Sequence, residues 1–482
     1  MKPLPLFGIL TLGVCLSSPI SADVPEGRGI QASPASNESG IVRRPAPLDF
    51  KRGDLTVWPS RGKKTEAIDL RSYDLSGWDL GSKGADLVSA DFDSRTKWPG
   101  RLPDGFDPVR MMDLGRNPGL GVRSLHERGI TGRGIGIAII DQTLLTDHVE
   151  YRDRLRLYEE IGLDLYPAQI HGPAVASIAA GKTVGVAPEA DLYYIASFFG
   201  SGTAGEFSRD FTFSAQAVDR LLEVNRTLPR KNRIRVISLS IGWDPREKGY
   251  AEMCAAVDRA KEAGIFVVSS SLTPTYGDKL RFHGLGREPP ADPDAAASYG
   301  PGSWWEDQFY SSGGGPAKGV ETLLIPMDSR TMAGPTGAVD YVFYRNGGWS
   351  WSIPYIAGLY ALSCQVDPEI TPEIFWAKAL ETGDTVVMPA REKAVRSPEE
   401  IERMLQKNFL EPLAQLKART KPGDLEKMIA EGYNRMTGKK LEKMSEADFI
   451  AWARTMAEGR SDPRPLKTIV NPVRLIDALV RR

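Results

Sequence analysis

GIGIAIID, residues 134–141, is apolar at nearly every position and ends on a carboxylate. A strand with one wet face alternates apolar and polar residues, so a run this uniform belongs to a strand covered on both faces. ADLYYIA (190–196), RIRVISLS (233–240), GIFVVSS (264–270) and TLLIP (322–326) read the same way. Between them, FSAQAVDRLLEV (213–224) and AEMCAAVDRAKEAG (251–264) carry helical spacing. The expected fold class is α/β, a parallel β-sheet with helices on both faces, plus an N-terminal β-rich extension and a helical insert. In such sheets the chemistry gathers at the carboxyl ends of the strands.

The chain has 482 residues, 41% of them hydrophobic, enough to bury one large core or two modest ones. Its 61 Lys and Arg balance 62 Asp and Glu, for a net charge of -1. Nothing in that balance steers the whole molecule to nucleic acid or anionic lipid, and no nucleic-acid partner is expected. Lys2, the apolar LPLFGILTLGVCL (4–16) and Ser21-Ala22 before Asp23 read as a secretory signal peptide, residues 1–22. The expected location is secreted or periplasmic. Lipid attachment at Cys15 is the competing reading, against which Gly13-Val14 lacks the small residue that usually precedes such a cysteine. No other apolar stretch approaches the ~20 residues of a membrane span, so no integral span is expected. Cys254 and Cys364 sit in apolar helical segments, as buried thiols or one disulfide, without a CxxC pair for zinc.

Residues 23–67, rich in Pro, Ser, Gly and charge, read as a flexible leader. Residues 68–118 are an N-terminal extension. In it IDLRSYDLSGWDLGS (68–82) and ADLVSADFDS (85–94) place Leu or Phe after Asp at every fifth residue, with a slip at Lys83-Gly84. That stretch resembles a short pentapeptide-repeat segment, and five units imply a β-rich patch docked on a larger domain rather than a free coil. Residues 119–482 form the main domain. Within it 389–465 reads as a helical, charge-mixed insert whose helices start at Ser397 with Glu400 and at Ser445 with Asp448.

Asp141 stands where a strand delivers a side chain to the reactive edge, although an Asp there is also a common turn former. Imidazole chemistry has only His126, His148, His171 and His283 to draw on. His171 heads HGPAVASIAA (171–180), a helix start in which Gly172 and Ala174 permit close backbone approach; a cap without chemistry is the plain alternative. GGWSWSIPYIAGLYAL (347–362) places Ser350 and Ser352 ahead of an apolar helix. Pro354 cannot lie deep in a regular helix, so the helix should start near Ser350, with that hydroxyl at the positive end of the dipole and its N–H open to an oxyanion. Ser352, roughly 160° away around the helix, faces packing. A nucleophilic serine needs a base and an orienting carboxylate, and the chain offers Asp141, His171 and Ser350 in that order.

These segments resemble the subtilisin-like serine proteases, the subtilases. IAIID (137–141) resembles the family's Asp motif, with His148 where the family often has a histidine. HGPAVAS (171–177), followed by GVAP (185–188), is similar to its HGTHVAG motif. GWSWSIPYIAG (348–358) is similar to its GTSMASPHVAG motif, which aligns Ser350 with the nucleophile and Pro354 with the family's proline. The likeness runs from about 119 to 385 and resumes in TIVNPVRLIDAL (468–479). It implies a subtilisin-like fold, an Asp141-His171-Ser350 triad and a polypeptide substrate. It also implies that Ser240-Ile241-Gly242 pairs with the substrate backbone as an edge strand would. No cofactor and no metal are implied, since the link from His171 to GVAP has no room for the calcium loop of many members.

The chain departs from the family after GIFVVSS. There the resemblance puts Thr273 in place of the oxyanion asparagine and Leu272 in place of a glycine. Thr273, with Ser271 as a candidate helper, and the Ser350 N–H are the expected oxyanion hole, while Ser271 and Leu272 line a narrowed substrate pocket. Trp304 and Trp305 read as part of a surface loop near the cleft, with a packing role for the two rings as the plain alternative. The expected function is a secreted serine endopeptidase, with the N-terminal segment as a candidate intramolecular leader. The competing reading, motivated by the altered oxyanion loop, is a catalytically weak or inactive pseudoprotease that binds peptides or a protein partner.

Overall fold

Four of the five uniform apolar runs become a parallel sheet, while the fifth, TLLIP, enters a second sheet. β1 (Gly136–Asp141), β2 (Leu155–Ile161), β3 (Asp191–Ser197), β4 (Ile234–Leu239) and β5 (Phe266–Ser269) lie in the order β5-β4-β1-β3-β2, each pair parallel. Alternation within β1 accounts for its composition. Ile137 and Ile139 enter one core with Leu192, Tyr194 and Val236, while Ala138 and Ile140 enter another with Ile195 and Ile237. Helices α1 (His171–Ala180) and α4 (Trp349–Val366) cover the first face, and α2 (Thr212–Thr227) and α3 (Tyr250–Glu262) the second. The α/β expectation, with helices on both faces, holds. β2, which no apolar run announced, is one of the two outer strands, and its exposed Arg156 marks it as an edge.

The computed structural model describes residues 40–59, 66–201, 208–277, 280–311, 321–389, 398–421, 423–437, 440–458 and 464–481. The signal peptide 1–22 with Cys15, leader residues 23–39, and the Ser397 cap lie outside the described residues. Residues from 40 onward run along the open edge of β2, where Tyr158 N donates to Gly40 O and Val42 N to Tyr158 O, both at 3.0 Å. Covering the edge this way satisfies backbone groups that would otherwise invite another strand.

Beyond β5 the chain builds a mixed sheet from β6 (Phe282–Arg287), β7 (Tyr299–Pro301), β8 (Leu323–Pro326), β9 (Asp384–Met388) and β10 (Arg464–Ile469), ordered β7-β6-β8-β10-β9. β9 and β10 pair antiparallel, and the helical insert leaves and returns between them. The insert has its own small cores, one around Leu413, Ile429, Tyr433 and Phe449, the other around Leu405, Ala453 and Ala457. Its Ser445 caps as expected: Oγ accepts from Asp448 N at 3.1 Å and donates to Asp448 Oδ2 at 2.6 Å.

In the extension, the fifth-residue leucines Leu70, Leu75 and Leu80 are fully buried in a third core with Leu87 and Phe92. The backbone between them is irregular: the pairs Ile68–Asp69 and Tyr73–Asp74, a helical turn at Gly84–Val88, and the strand Ala90–Asp93. Ala90–Asp93 pairs antiparallel with Tyr341–Tyr344, which pairs in turn with Arg330–Ala333. Cys254 and Cys364 are free thiols, the first half-buried and the second buried, where burial pushes the Cys364 thiol up to about 12. Among the described residues no helix is long and apolar enough to cross a membrane.

α1 and α4 cross at Gly358, where a Cβ would stand 2.6 Å from Val186 Cβ and 3.0 Å from Ala179 O. Removing the glycine's helix penalty is worth about 1 kcal/mol, but forcing the two segments apart costs about 1–3 kcal/mol. Gly358→Ala is therefore expected to lower the denaturant midpoint, which equilibrium unfolding measures.

Candidate active site

β1 ends on Asp141, which is 3% exposed. Its Oδ1 lies 2.7 Å from His171 Nδ1 and accepts from Gln142 N, also at 2.7 Å. His171 opens α1, and its own N–H donates to Gln142 Oε1 at 3.2 Å, so the residue after the carboxylate also anchors the helix that carries the imidazole. Gly172 makes this approach feasible: a Cβ there would lie 2.6 Å from both Gln142 O and Tyr194 Oη. The expected close backbone approach at Gly172 is therefore real.

The other imidazoles are engaged differently. His148 is fully buried between Asp340 O, 2.8 Å from Nε2, and Glu150 N, which donates to Nδ1 at 3.2 Å, and burial lowers its affinity for a proton. His126 Nε2 meets Val186 O at 2.8 Å. His283 packs against Trp305 and Trp349, and burial pushes it down to about 4. Among the described residues His171 is the imidazole hydrogen-bonded to a carboxylate.

Ser350 is the second residue of α4, one position later in the helix than expected, because the helix opens at Trp349 after an extended Gly348. Pro354 lies inside this helix, close to its start. Having no N–H, it leaves the Ser350 carbonyl, four residues earlier, without its helical donor. Ser240 supplies one: Ser240 Oγ donates to Ser350 O at 3.0 Å, and the Ser350 hydroxyl donates back to Ser240 O at 3.3 Å. Among the described residues no hydrogen bond joins His171 to Ser350. Their segments meet instead through Trp351, whose ring stacks on the imidazole with centroids 5.2 Å apart and planes inclined by 30°.

Ser240, Ile241 and Gly242 follow β4 and are all half-buried, and Ile241 O accepts from Ser270 N at 3.1 Å. Ser271 and Thr273 are engaged elsewhere in this conformation. Ser271 Oγ accepts from Trp243 N at 2.9 Å and donates to Trp243 O at 3.2 Å, and Thr273 Oγ1 donates to Leu280 O at 3.4 Å. Leu272, 1% exposed, packs in the main core.

Residues outside the predicted set also shape the site. Asp328, buried, accepts from Gly347 N at 2.7 Å, and Trp304 Nε1 donates to Gly347 O at 2.6 Å, so the turn three residues before Ser350 is held from both sides. Trp351 and Gln142 adjoin quoted motif residues and were within reach of the sequence. Asp328 carried no such signal, being brought to Gly347 only by the fold.

Ser240→Ala should cost about 1 kcal/mol by orphaning the Ser350 carbonyl. In a Pro354→Ala background, where position 354 regains an N–H, the cost should shrink; a double-mutant cycle by chemical denaturation reads the difference. Burial pushes Asp328 up from 3.8 to about 7. Between those values the folded state holds a proton that the unfolded chain releases, so this group's contribution to stability falls as pH rises. The melting-temperature difference between wild type and Asp328→Asn should therefore move against wild type from about pH 4 to about pH 7 and level off above.

Residues 132–272 match the Subtilase family model. The chain is 31% identical over 137 residues to the subtilisin-like protease PopC of Myxococcus xanthus, covering 26% of this chain and 28% of PopC. It is 25% identical over 244 residues to a subtilisin-like protease of Coccidioides posadasii, covering 49% of this chain and 46% of that protein. The chain thus spans less than half the length of either curated relative. A solved structure of the prenylagaramide maturation protease PagA aligns over 55% of this chain and 89% of its own, with a TM-score of 0.36 and 14% identity. The family match takes in Asp141, His171 and Ser240–Gly242 and ends before Ser350, so the chain carries a segment similar to the subtilases in which the paired carboxylate and imidazole both lie.

Proposed function

We propose that this chain is a serine endopeptidase that works through Asp141, His171 and Ser350. The observation that carries the reading is the 2.7 Å bond from His171 Nδ1 to a buried carboxylate at the carboxyl end of a parallel sheet. That bond leaves Nε2 as the proton-accepting nitrogen, with Asp141 fixing the ring and stabilising the imidazolium that forms. In the reaction the Ser350 hydroxyl exchanges its bond to Ser240 O for one to His171 Nε2. Such bonds are often long before substrate arrives. Ser350 Oγ then attacks the peptide carbonyl, His171 returns the proton to the leaving amine, and water hydrolyses the acyl-enzyme.

The Ser350 N–H at the start of α4 supplies one oxyanion donor, and Thr273, on releasing Leu280 O, the second. Ser240, Ile241 and Gly242 offer backbone to an extended peptide beside Ser271 and Leu272. Export follows from the signal-like residues 1–22. The second reading, a pseudoprotease that binds a peptide or protein partner, draws on the same Thr273–Leu280 bond, which ties up the hydroxyl assigned to the oxyanion hole.

A serine-directed fluorophosphonate is expected to label wild type and not Ser350→Ala, and Thr273→Ala should lower kcat by about 10²–10³-fold. Unchanged hydrolysis by Thr273→Ala removes that residue from the oxyanion hole. No labelling of folded wild type, together with peptide binding that survives Ser350→Ala, favours the binding protein.

A further inference from the structure

The N-terminal extension is hydrogen-bonded into the strand that leads to Ser350. Val342 pairs with Asp93 and Phe343 with Phe92 across an antiparallel ladder, and the Phe92 and Phe343 rings stack with centroids 5.0 Å apart. One residue on, Tyr344 Oη accepts from Arg71 Nη1 at 3.0 Å, and Arg345 N donates to Asp91 Oδ1 at 2.7 Å. Arg71 is 7% exposed and held as a fork by Asp69, Nε to Oδ1 at 2.8 Å and Nη2 to Oδ2 at 2.9 Å. Its other end faces the Tyr344 ring, with the guanidinium carbon 5.4 Å from the centroid.

Tyr344 in turn packs on Trp351 at 5.5 Å, and Trp351 stacks on His171. The Trp351 indole N–H is buried without a hydrogen-bond partner, so packing against its neighbours sets where that ring sits. The Asp141 bond pins one atom of the imidazole and leaves the ring free to tilt about it. A flat contact on the ring face removes that freedom, and tolerances of about 0.5 Å and 10–20° separate a productive geometry from a poor one.

We propose that Arg71 is a positioning residue for the reaction at Ser350: by holding Tyr344 it fixes Trp351, and through Trp351 the plane of His171. The extension is thereby a working part of the active domain and not a leader to be discarded. This rests on the peptidase reading above.

The test uses Arg71→Lys, which keeps the charge beside Asp69 but loses the planar fork needed to hold Asp69 and Tyr344 together. Tyr344→Leu, which removes the ring backing Trp351, is the second variant. Steady-state kinetics on a peptide substrate should show kcat lowered about tenfold to a hundredfold with KM within about twofold. The chain has four histidines, so proton NMR can follow each imidazole. The His171 resonance should shift as the Trp351 ring current changes, while those of His126, His148 and His283 stay in place as evidence of an intact fold. An active wild type whose folded variants keep both kcat and the His171 shift overturns this inference alone. A parallel fall in activity and folded fraction, with all four resonances disturbed, also overturns it, since the contact is then merely structural. A folded wild type that turns over no peptide overturns the reading on which it rests.

Discussion

Burial of β1 on both faces is the constraint from which the rest of the site follows. A strand packed against helices above and below disfavours charge along its length, so the carboxylate of β1 appears at the end, where the sheet stops and side chains turn outward. Asp141 occupies that position, and α1 begins close enough for its first side chain to meet it. Gly172 is the local condition for this closeness, because any side chain at that position would collide with the loop after β1. The pairing of acid and imidazole is thus a property of how one helix docks on one strand.

α4 solves a different problem. Pro354 interrupts its hydrogen-bond ladder where Ser350 needs a defined position, and Ser240, at the end of a neighbouring strand, takes the carbonyl set free. The reciprocal pair of bonds ties the candidate nucleophile to the loop assigned to the substrate backbone. Two elements far apart in sequence are registered to each other by the absence of a single N–H.

The sheet was legible because fully buried strands are apolar at nearly every position, and α2 and α3 because their spacing is helical. β2 was not, since as an edge strand it alternates and carries charge. Asp141 and His171 could be read from their motifs and do meet. Ser350 could be read as a helix-start serine, while its bond to Ser240 O could not, because a hydroxyl's choice among acceptors depends on side-chain geometry. Asp328 and Arg71 escaped notice for a common reason: each acts through burial against residues that only the tertiary fold brings near. The five-residue spacing of leucines correctly marked an inward face, but its regularity exceeded that of the backbone beneath it.

The helical insert departs from β9 and rejoins at β10, whose residues Met388 and Arg464 face each other across the ladder. Its two ends are therefore already neighbours, and the loop-closure entropy of such an excursion grows only slowly with its length. Because the module also packs on its own apolar centres, it behaves as a cassette. Its size and surface can vary over generations while the scaffold that carries Asp141, His171 and Ser350 stays the same.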